Sequence, residues 1–160
     1  MCYSPAPART LILGFGNPFY GDDGLGVRVV DMLAGTELPP WVSLAAAGTP
    51  GWELPAWLQG WPRAILIDAA LMDLPPGAWR CFNPGSIQMI KSGKHFSLHE
   101  AGLPDGLALA EALGMLPLEI ILYCMQPESL EEGQELSQPV RSALTGLVEE
   151  IVVDLWKRDK

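Results

Sequence analysis

Short apolar runs, each ended by a glycine, a turn or a polar residue, are the feature that most constrains the fold of this chain. Four of them lie at residues 10–15, 41–47, 64–68 and 118–125. A strand that is apolar on both faces is typical of a parallel sheet, because helices cover such a sheet on each side. A fifth run at residues 78–82 predicts an extra or edge strand.

Segments with apolar residues at helical spacing alternate with these runs. One follows Gly24, a shorter one is predicted at residues 52–59, and an amphipathic helix is predicted from Ser137 to about Trp156. Strands that alternate with helices form layered α/β domains. We therefore predict an α/β three-layer sandwich, with a mostly parallel, twisted sheet and helices on both faces.

The size and charge of the chain restrict its organisation and its partners. The 160 residues are predicted to form a single domain, residues 1–160, in which residues 1–9 are a flexible N-terminal tail. The formal net charge of −9 repels nucleic acid and anionic membrane surfaces. No apolar stretch reaches the roughly 18 to 20 residues of a membrane-spanning helix, and the N-terminus lacks an export signal. We therefore expect a cytoplasmic monomer.

The three cysteines are Cys2, Cys81 and Cys124, which are too widely spaced for a zinc motif. Cys81 and Cys124 lie in apolar runs, so we expect both to be reduced, buried thiols. Cys2 lies in the predicted tail and is not expected to act as a reactive thiol.

Three residues that bear chemistry are predicted to lie near one edge of the sheet. Asp23 follows the loop after the first strand, Asp68 ends the third strand, and His99 lies in a predicted first helical turn. The carboxyl ends of parallel strands in such folds form the crevice that binds ligands. We expect Asp22, the neighbour of Asp23, to cap the following helix. Asp68 taken alone is equally consistent with a turn in which its side chain caps the next residues.

The placement of His99 rests on a capping-box pattern formed by Ser97 and Glu100, which predicts that a helix begins at Ser97. Pro104 must then kink or restart that helix. His95 precedes the predicted helix, so we expect it to be exposed and to bind no ligand.

Two carboxylates and one imidazole suit a divalent ion such as Ni²⁺ or Zn²⁺, although a hydrogen-bonded core network remains an alternative from the residues alone. The Gly14 and Gly16 pair is spaced wrongly for a dinucleotide fingerprint, since the third glycine is Gly21, and no phosphate-binding GK[ST] sequence follows. A GxSxG nucleophile elbow is also missing from the sequence. These patterns favour metal or acid/base chemistry.

Several motifs, taken in order along the chain, resemble those of the hydrogenase maturation endopeptidases. They are Leu-Ile-Leu-Gly-Phe-Gly-Asn17, Gly-Asp-Asp23-Gly-Leu-Gly-Val-Arg28, Gly48-Thr-Pro-Gly-Trp-Glu-Leu54, Leu66-Ile-Asp-Ala69, Ser97-Leu-His-Glu-Ala-Gly-Leu103 and Gln126-Pro-Glu-Ser129. The first two are quite specific, and the others gain weight from their order. The resemblance spans most of the chain, and it implies the same layered fold.

The resemblance implies an endopeptidase that removes a short C-terminal extension from the nickel-loaded precursor of a nickel-iron hydrogenase large subunit. It also implies that Asp23, Asp68 and His99 are catalytic and bind the metal, which is nickel carried by the precursor. The metal would polarise the scissile carbonyl or activate water, or a carboxylate would act as general base. A non-catalytic nickel-binding chaperone for hydrogenase assembly is the alternative, and a flavodoxin-like small-molecule binder is a weaker one. Many members carry an aspartate where this chain has Ala46, which places the details of cleavage in question.

Overall fold

The structure is a computed structural model that describes residues 7–83, 97–98 and 103–157. Six strands lie in these residues: β1 (Thr10–Phe15), β2 (Val42–Gly48), β3 (Arg63–Leu71), β4 (Trp79–Phe82), β5 (Ser97–Leu98) and β6 (Glu119–Met125). The described α-helices are α1 (Leu25–Ala34), α2 (Leu54–Leu58), α3 (Leu103–Ala112) and α4 (Gln138–Lys157), and short 3-10 turns at Gly21–Gly24 and Gly51–Glu53 precede α1 and α2. No described helix is both long enough and apolar enough to cross a membrane.

The central sheet has the strand order β2-β1-β3-β6-β4. Strands β2, β1, β3 and β6 run parallel, whereas β4 runs antiparallel to β6 at the edge. The carboxyl ends of the parallel strands therefore lie along one end of the sheet. We call this end the carboxyl edge, and it is distinct from the outermost strand β4. The opposite edge, at the start of β3 and β6, is the amino edge.

Side chains alternate between the two faces of the sheet, and each face has its own apolar core. Ile12, Ile65 and Ile121 pack on one face with α1 and α4. Leu13 and Leu66 pack on the other face with α2 and α3. This arrangement confirms the predicted α/β three-layer sandwich with a mostly parallel sheet.

Two strands differ from their predictions in ways that matter for the candidate site. Strand β3 does not end at Asp68 but continues to Leu71, so Asp68 lies inside the strand and pairs with Cys124 of β6. The prediction that a helix begins at Ser97 is wrong, because Ser97 and Leu98 form β5 and pair antiparallel with Leu71 and Ala70.

The extension of β3 is the physical reason for that error. The last residues of β3 offer ladder hydrogen bonds, which β5 uses in place of a helical turn. The helix begins instead at Leu103, with Pro104 in its first turn, where the missing N–H of proline leaves no helical hydrogen bond unmade.

The cysteine prediction is confirmed for only one of the two described residues. Cys81 and Cys124 are both free thiols, and Cys124 is buried as expected. Cys81 is exposed, which corrects the prediction. It lies on β4, which among the described strands pairs with β6 alone. Cys2 lies outside the described residues.

Candidate active site

Asp23 lies in the 3-10 turn between β1 and α1, where it is buried against the end of β1. Its Oδ2 accepts a hydrogen bond of 2.7 Å from the backbone N–H of Asn17. Gly16 allows this close approach, because a Cβ at that position would lie 1.7 Å from the carbonyl oxygen of Asp23. Gly16 also has a φ of +104°, which favours glycine. The Gly-Phe-Gly sequence therefore serves the placement of a carboxylate and needs no nucleotide to explain it.

Helix α1 packs directly on the sheet through two further glycines. A Cβ on Gly26 would lie 2.4 Å from the carbonyl oxygen of Ile67 and 2.5 Å from that of Phe15. A Cβ on Gly14 would lie 2.2 Å from the carbonyl oxygen of Gly26. The start of α1 thus lies over the ends of β1 and β3, which brings Asp23 to the strand that carries Asp68.

The prediction that Asp22 caps α1 is wrong. No side chain caps that helix, whose N-cap is Gly24. The Asp22 carboxylate is buried and accepts four hydrogen bonds of 2.7 to 3.1 Å from the loop before α4: from the backbone N–H groups of Glu128, Ser129 and Ser137 and from the Ser137 hydroxyl. A carboxylate that satisfies so many donors fixes two loops together. Asp22 therefore has a structural role, and it directly precedes Asp23 in the sequence.

Asp68 lies at the carboxyl edge with only 5% of its surface exposed. Its Oδ1 accepts a 2.8 Å hydrogen bond from the N–H of Ala69, within the strand and not in a turn. Burial and the nearby Asp23 carboxylate together raise the pKa of Asp68 well above its usual range, and the Ala69 hydrogen bond opposes this shift. Two neighbouring buried carboxylates can share a proton or hold a cation between them.

The structure therefore brings together Asp23 and Asp68, two of the three predicted site residues. His99 and its decoy His95 lie outside the described residues. Leu98, which precedes His99 in the sequence, pairs with Ala70 two residues beyond Asp68. Within the described ranges, no group of three histidine, cysteine or acidic residues is arranged to hold a metal. The metal role of the trio stays a prediction.

Cys124 pairs with Asp68 in the sheet and carries a thiol, a group that acts as a nucleophile in some enzymes. Burial, followed by the charge of Asp68, raises the pKa of the Cys124 thiol well above its usual range. A buried thiol of raised pKa is a poor nucleophile, because the thiolate is the reactive form. This agrees with the sequence, which predicted metal or acid/base chemistry in place of a cysteine nucleophile.

The sequence reasoning missed the role of Gln126, which directly follows β6. Its Oε1 accepts hydrogen bonds from the N–H groups of Met72 at 2.7 Å and Leu74 at 3.4 Å, and its backbone pairs with Gly77 and Ala78. Gln126 thereby fixes the chain that leaves β3 after Leu71, a few residues beyond Asp68. A buried amide at the end of an apolar strand was the available signal. Ala46, the position at which the resemblance implies an acid in other members, lies exposed on β2 opposite Gly14.

Comparisons with known proteins identify the family. The model of the HycI hydrogenase maturation protease family matches residues 27–154. The hydrogenase expression/formation protein HoxM of Azotobacter vinelandii is 38% identical over 136 residues, which are 84% of this chain and 66% of that protein. The hydrogenase 2 maturation protease of Escherichia coli (strain K12) is 30% identical over 149 residues, which are 92% of this chain and 90% of that protein.

The fold agrees with these sequence relationships. The structure of the NiFe hydrogenase maturation protease HybD from Thermococcus kodakarensis superposes with a TM-score of 0.77 at 29% identity, covering 92% of this chain and 99% of that one. The chain spans about two thirds of the length of its Azotobacter relative. The resemblance seen in the motifs is confirmed at the level of the family. This chain belongs to the hydrogenase maturation protease family.

Proposed function

We propose that this protein is an endopeptidase that removes the C-terminal extension from the precursor of a NiFe hydrogenase large subunit, and that it acts only on nickel-loaded precursor. The family and the names of its relatives support the peptidase activity and the hydrogenase substrate. The observation that carries the nickel-dependent part is the meeting of the buried Asp23 and Asp68 at the carboxyl edge. The net charge of −9 supports a protein substrate over nucleic acid or a membrane.

The residues present fit a divalent cation. Two carboxylates and an imidazole are suitable ligands for nickel, and Asp23, Asp68 and His99 would form an incomplete shell around the ion that the precursor carries. A bound ion supplies Lewis-acid polarisation and favours the ionised form of a nearby acid. The pairing of Leu98 with Ala70 supports a role for His99. It places Leu98, which directly precedes His99 in the sequence, at the end of β3.

The raised pKa of Asp68 supplies a reason for selectivity between loaded and empty precursor. Burial and the Asp23 charge favour the protonated acid when no cation is present. A protonated Asp68 neither binds a metal nor accepts a proton from water. The arrival of a positive charge with the substrate would ionise Asp68, so the same residue recognises the precursor and becomes competent for the reaction. A site with vacant ligand positions also discriminates against a partner without metal.

The test compares purified nickel-loaded and nickel-free precursor, each incubated with the protein and analysed by intact-mass spectrometry. We expect only the loaded precursor to lose its extension. Asp68→Asn should leave it intact, whereas Asp31→Asn, a matched change at an exposed aspartate on α1, should process it normally. Efficient cleavage of nickel-free precursor would refute the nickel requirement.

The two histidines provide a second matched pair of variants. His99→Gln should abolish processing, because it removes the predicted third ligand, whereas His95→Gln should process the loaded precursor at the normal rate. Equal processing by both variants would remove His99 from the site.

The alternative from another class is a nickel-binding chaperone that holds the precursor without cutting it. Such a chaperone would use the same carboxylate pair. It would form a stable complex with loaded precursor, and the mass of the precursor would not change. The family relationship favours the peptidase. Mass spectrometry of the precursor before and after incubation distinguishes the two, because only a peptidase shortens it.

A further inference from the structure

Two exposed aromatic side chains, Phe19 and Trp52, lie in the turns that follow β1 and β2 at the carboxyl edge. Phe19 is 75% exposed and Trp52 is 73% exposed, although both belong to turns close to the apolar core. Side chains of this kind dominate the energetics of protein interfaces, because each can bury about 150 to 250 Å² on contact. Exposed aromatics beside a reaction centre therefore mark where a polypeptide substrate would lie.

The sheet register relates the sequence positions of the two aromatic residues. Phe15 at the end of β1 pairs with Gly48 at the end of β2, and the N–H of Gly16 donates a 2.8 Å hydrogen bond to the Gly48 carbonyl. Phe19 follows Phe15 by the same number of residues as Trp52 follows Gly48. The two aromatic residues therefore lie at equivalent sequence positions after the ends of two adjacent strands.

The backbone that carries Phe19 is held rigidly to the site. The Asn17 N–H donates to the Asp23 carboxylate, and the Asn17 side-chain oxygen accepts a 3.0 Å hydrogen bond from the N–H of Phe19. The carbonyl of Phe19 accepts a 2.7 Å hydrogen bond from Gly133. The main chain is therefore fixed on both sides while the ring remains in solvent, which lowers the entropic cost of binding.

The turn that carries Trp52 is similarly held by a backbone hydrogen bond and by close packing against a helix. Its flanking Gly51 has a positive φ of 48°, and the Glu53 N–H donates a 2.8 Å hydrogen bond to the Pro50 carbonyl. Gly106 of α3 packs so closely on this turn that a Cβ there would lie 2.7 Å from the Gly51 carbonyl oxygen. The backbone that carries Trp52 is therefore fixed, as it is for Phe19.

We propose that Phe19 and Trp52 are substrate-binding residues that grip apolar side chains of the precursor beside its scissile bond. This inference rests on the proposed peptidase function. A second copy of this chain is a poor occupant, because two copies that each carry a net charge of −9 repel one another. A precursor segment is the occupant that the adjoining carboxylate pair requires, since its scissile bond must reach Asp23 and Asp68.

The test measures kcat and KM for nickel-loaded precursor with Phe19→Ala, Trp52→Ala and the double variant. The control is Leu118→Ala, because Leu118 is 93% exposed but precedes β6 at the amino edge. We expect the double variant to raise KM on the order of tenfold or more while kcat at saturation stays within about twofold. The Leu118 variant should match the wild type in both constants, and all variants should keep their unfolding temperature.

The outcomes separate this inference from the proposed function. Wild-type protein that leaves loaded precursor uncut would defeat both. Active wild-type protein with an unchanged KM in the double variant would overturn only the role of Phe19 and Trp52. A wild-type dimer that the double variant dissociates, again with KM unchanged, would assign the aromatics to a second copy and overturn the inference as well.

Discussion

Strand β3 carries a buried charge near each end, and the two ends treat that charge in opposite ways. At the amino edge, Arg63 is 2% exposed and forms ion pairs with Glu119 of β6 and Asp154 of α4. At the carboxyl edge, Asp68 is 5% exposed and lies near a second carboxylate, that of Asp23. One edge pairs its buried residue with opposite charges, and the other places a second acid beside it.

The difference supports a stabilising role for the amino edge and the proposed functional role for the carboxyl edge. A paired buried charge ties three elements together at the amino edge, because Arg63, Glu119 and Asp154 come from β3, β6 and α4. Two neighbouring carboxylates destabilise the folded state at neutral pH, so their retention requires another reason. We attribute it to a cation that arrives with the substrate.

The largest expected effect comes from removing the charge of Asp68. Asp68→Asn should lower kcat/KM for loaded precursor by at least about a hundredfold, because a ligand and acid/base group is lost. The same variant should unfold at an equal or higher temperature than the wild type, since the amide keeps the volume and can still accept from the Ala69 N–H. Activity assays and thermal unfolding on one preparation check both parts. Lost activity together with a lower unfolding temperature would indicate a structural role.

The next effect concerns Asp22, which contrasts with its neighbour Asp23. Asp22→Asn should cost about 3 kcal/mol of unfolding free energy, because one amide oxygen cannot replace a carboxylate that accepts four hydrogen bonds. Asp23→Asn should leave stability nearly unchanged and abolish processing. Urea unfolding and the mass-spectrometric assay measure the two quantities. If both variants lose stability equally, the division between a structural and a functional aspartate is wrong.

A smaller effect is expected at the amino edge. Arg63→Met should lower the unfolding free energy by about 2 kcal/mol, a cost limited because Glu119 and Asp154 keep partial access to water. Its kcat should stay near the wild-type value at temperatures where it is folded. Arg80→Met, at an exposed position of β4, is the matched control and should cost less than about 0.5 kcal/mol. Loss of kcat in folded Arg63→Met protein would contradict the separation of the two edges.

The smallest effect is a dependence of stability on pH, measured in metal-free buffer. Well below about pH 4 the Asp68 carboxyl is protonated in both the folded and the unfolded state and contributes nothing to the pH dependence. As the pH rises, the unfolded chain releases this proton first because the folded-state pKa is raised, so the folded state loses stability. The unfolding temperature of Asp68→Asn relative to the wild type should therefore increase by a few degrees between pH 4.5 and 8. A gap that narrows over this range would contradict the raised pKa.

The sequence predicted the layers of this fold well because its strands are apolar on both faces and therefore unambiguous. It predicted Asp23 and Asp68 as neighbours for the same reason, since it placed both near the carboxyl ends of parallel strands, although Asp68 lies inside β3 and not after it. It failed at Ser97, where a local capping pattern lost to pairing with the end of β3, and at Asp22, whose partners lie more than a hundred residues away. Contacts between residues that lie far apart in the sequence produce no local sequence pattern from which they could be predicted.

The most direct test of the account is the affinity of the protein for free Ni²⁺, measured by isothermal titration calorimetry. The account predicts that the wild type binds one ion per chain and that Asp23→Asn and Asp68→Asn each weaken binding by at least about tenfold, whereas Asp31→Asn does not. Unchanged nickel affinity in folded Asp68→Asn protein would contradict the claim that the carboxyl edge holds its paired acids for a cation.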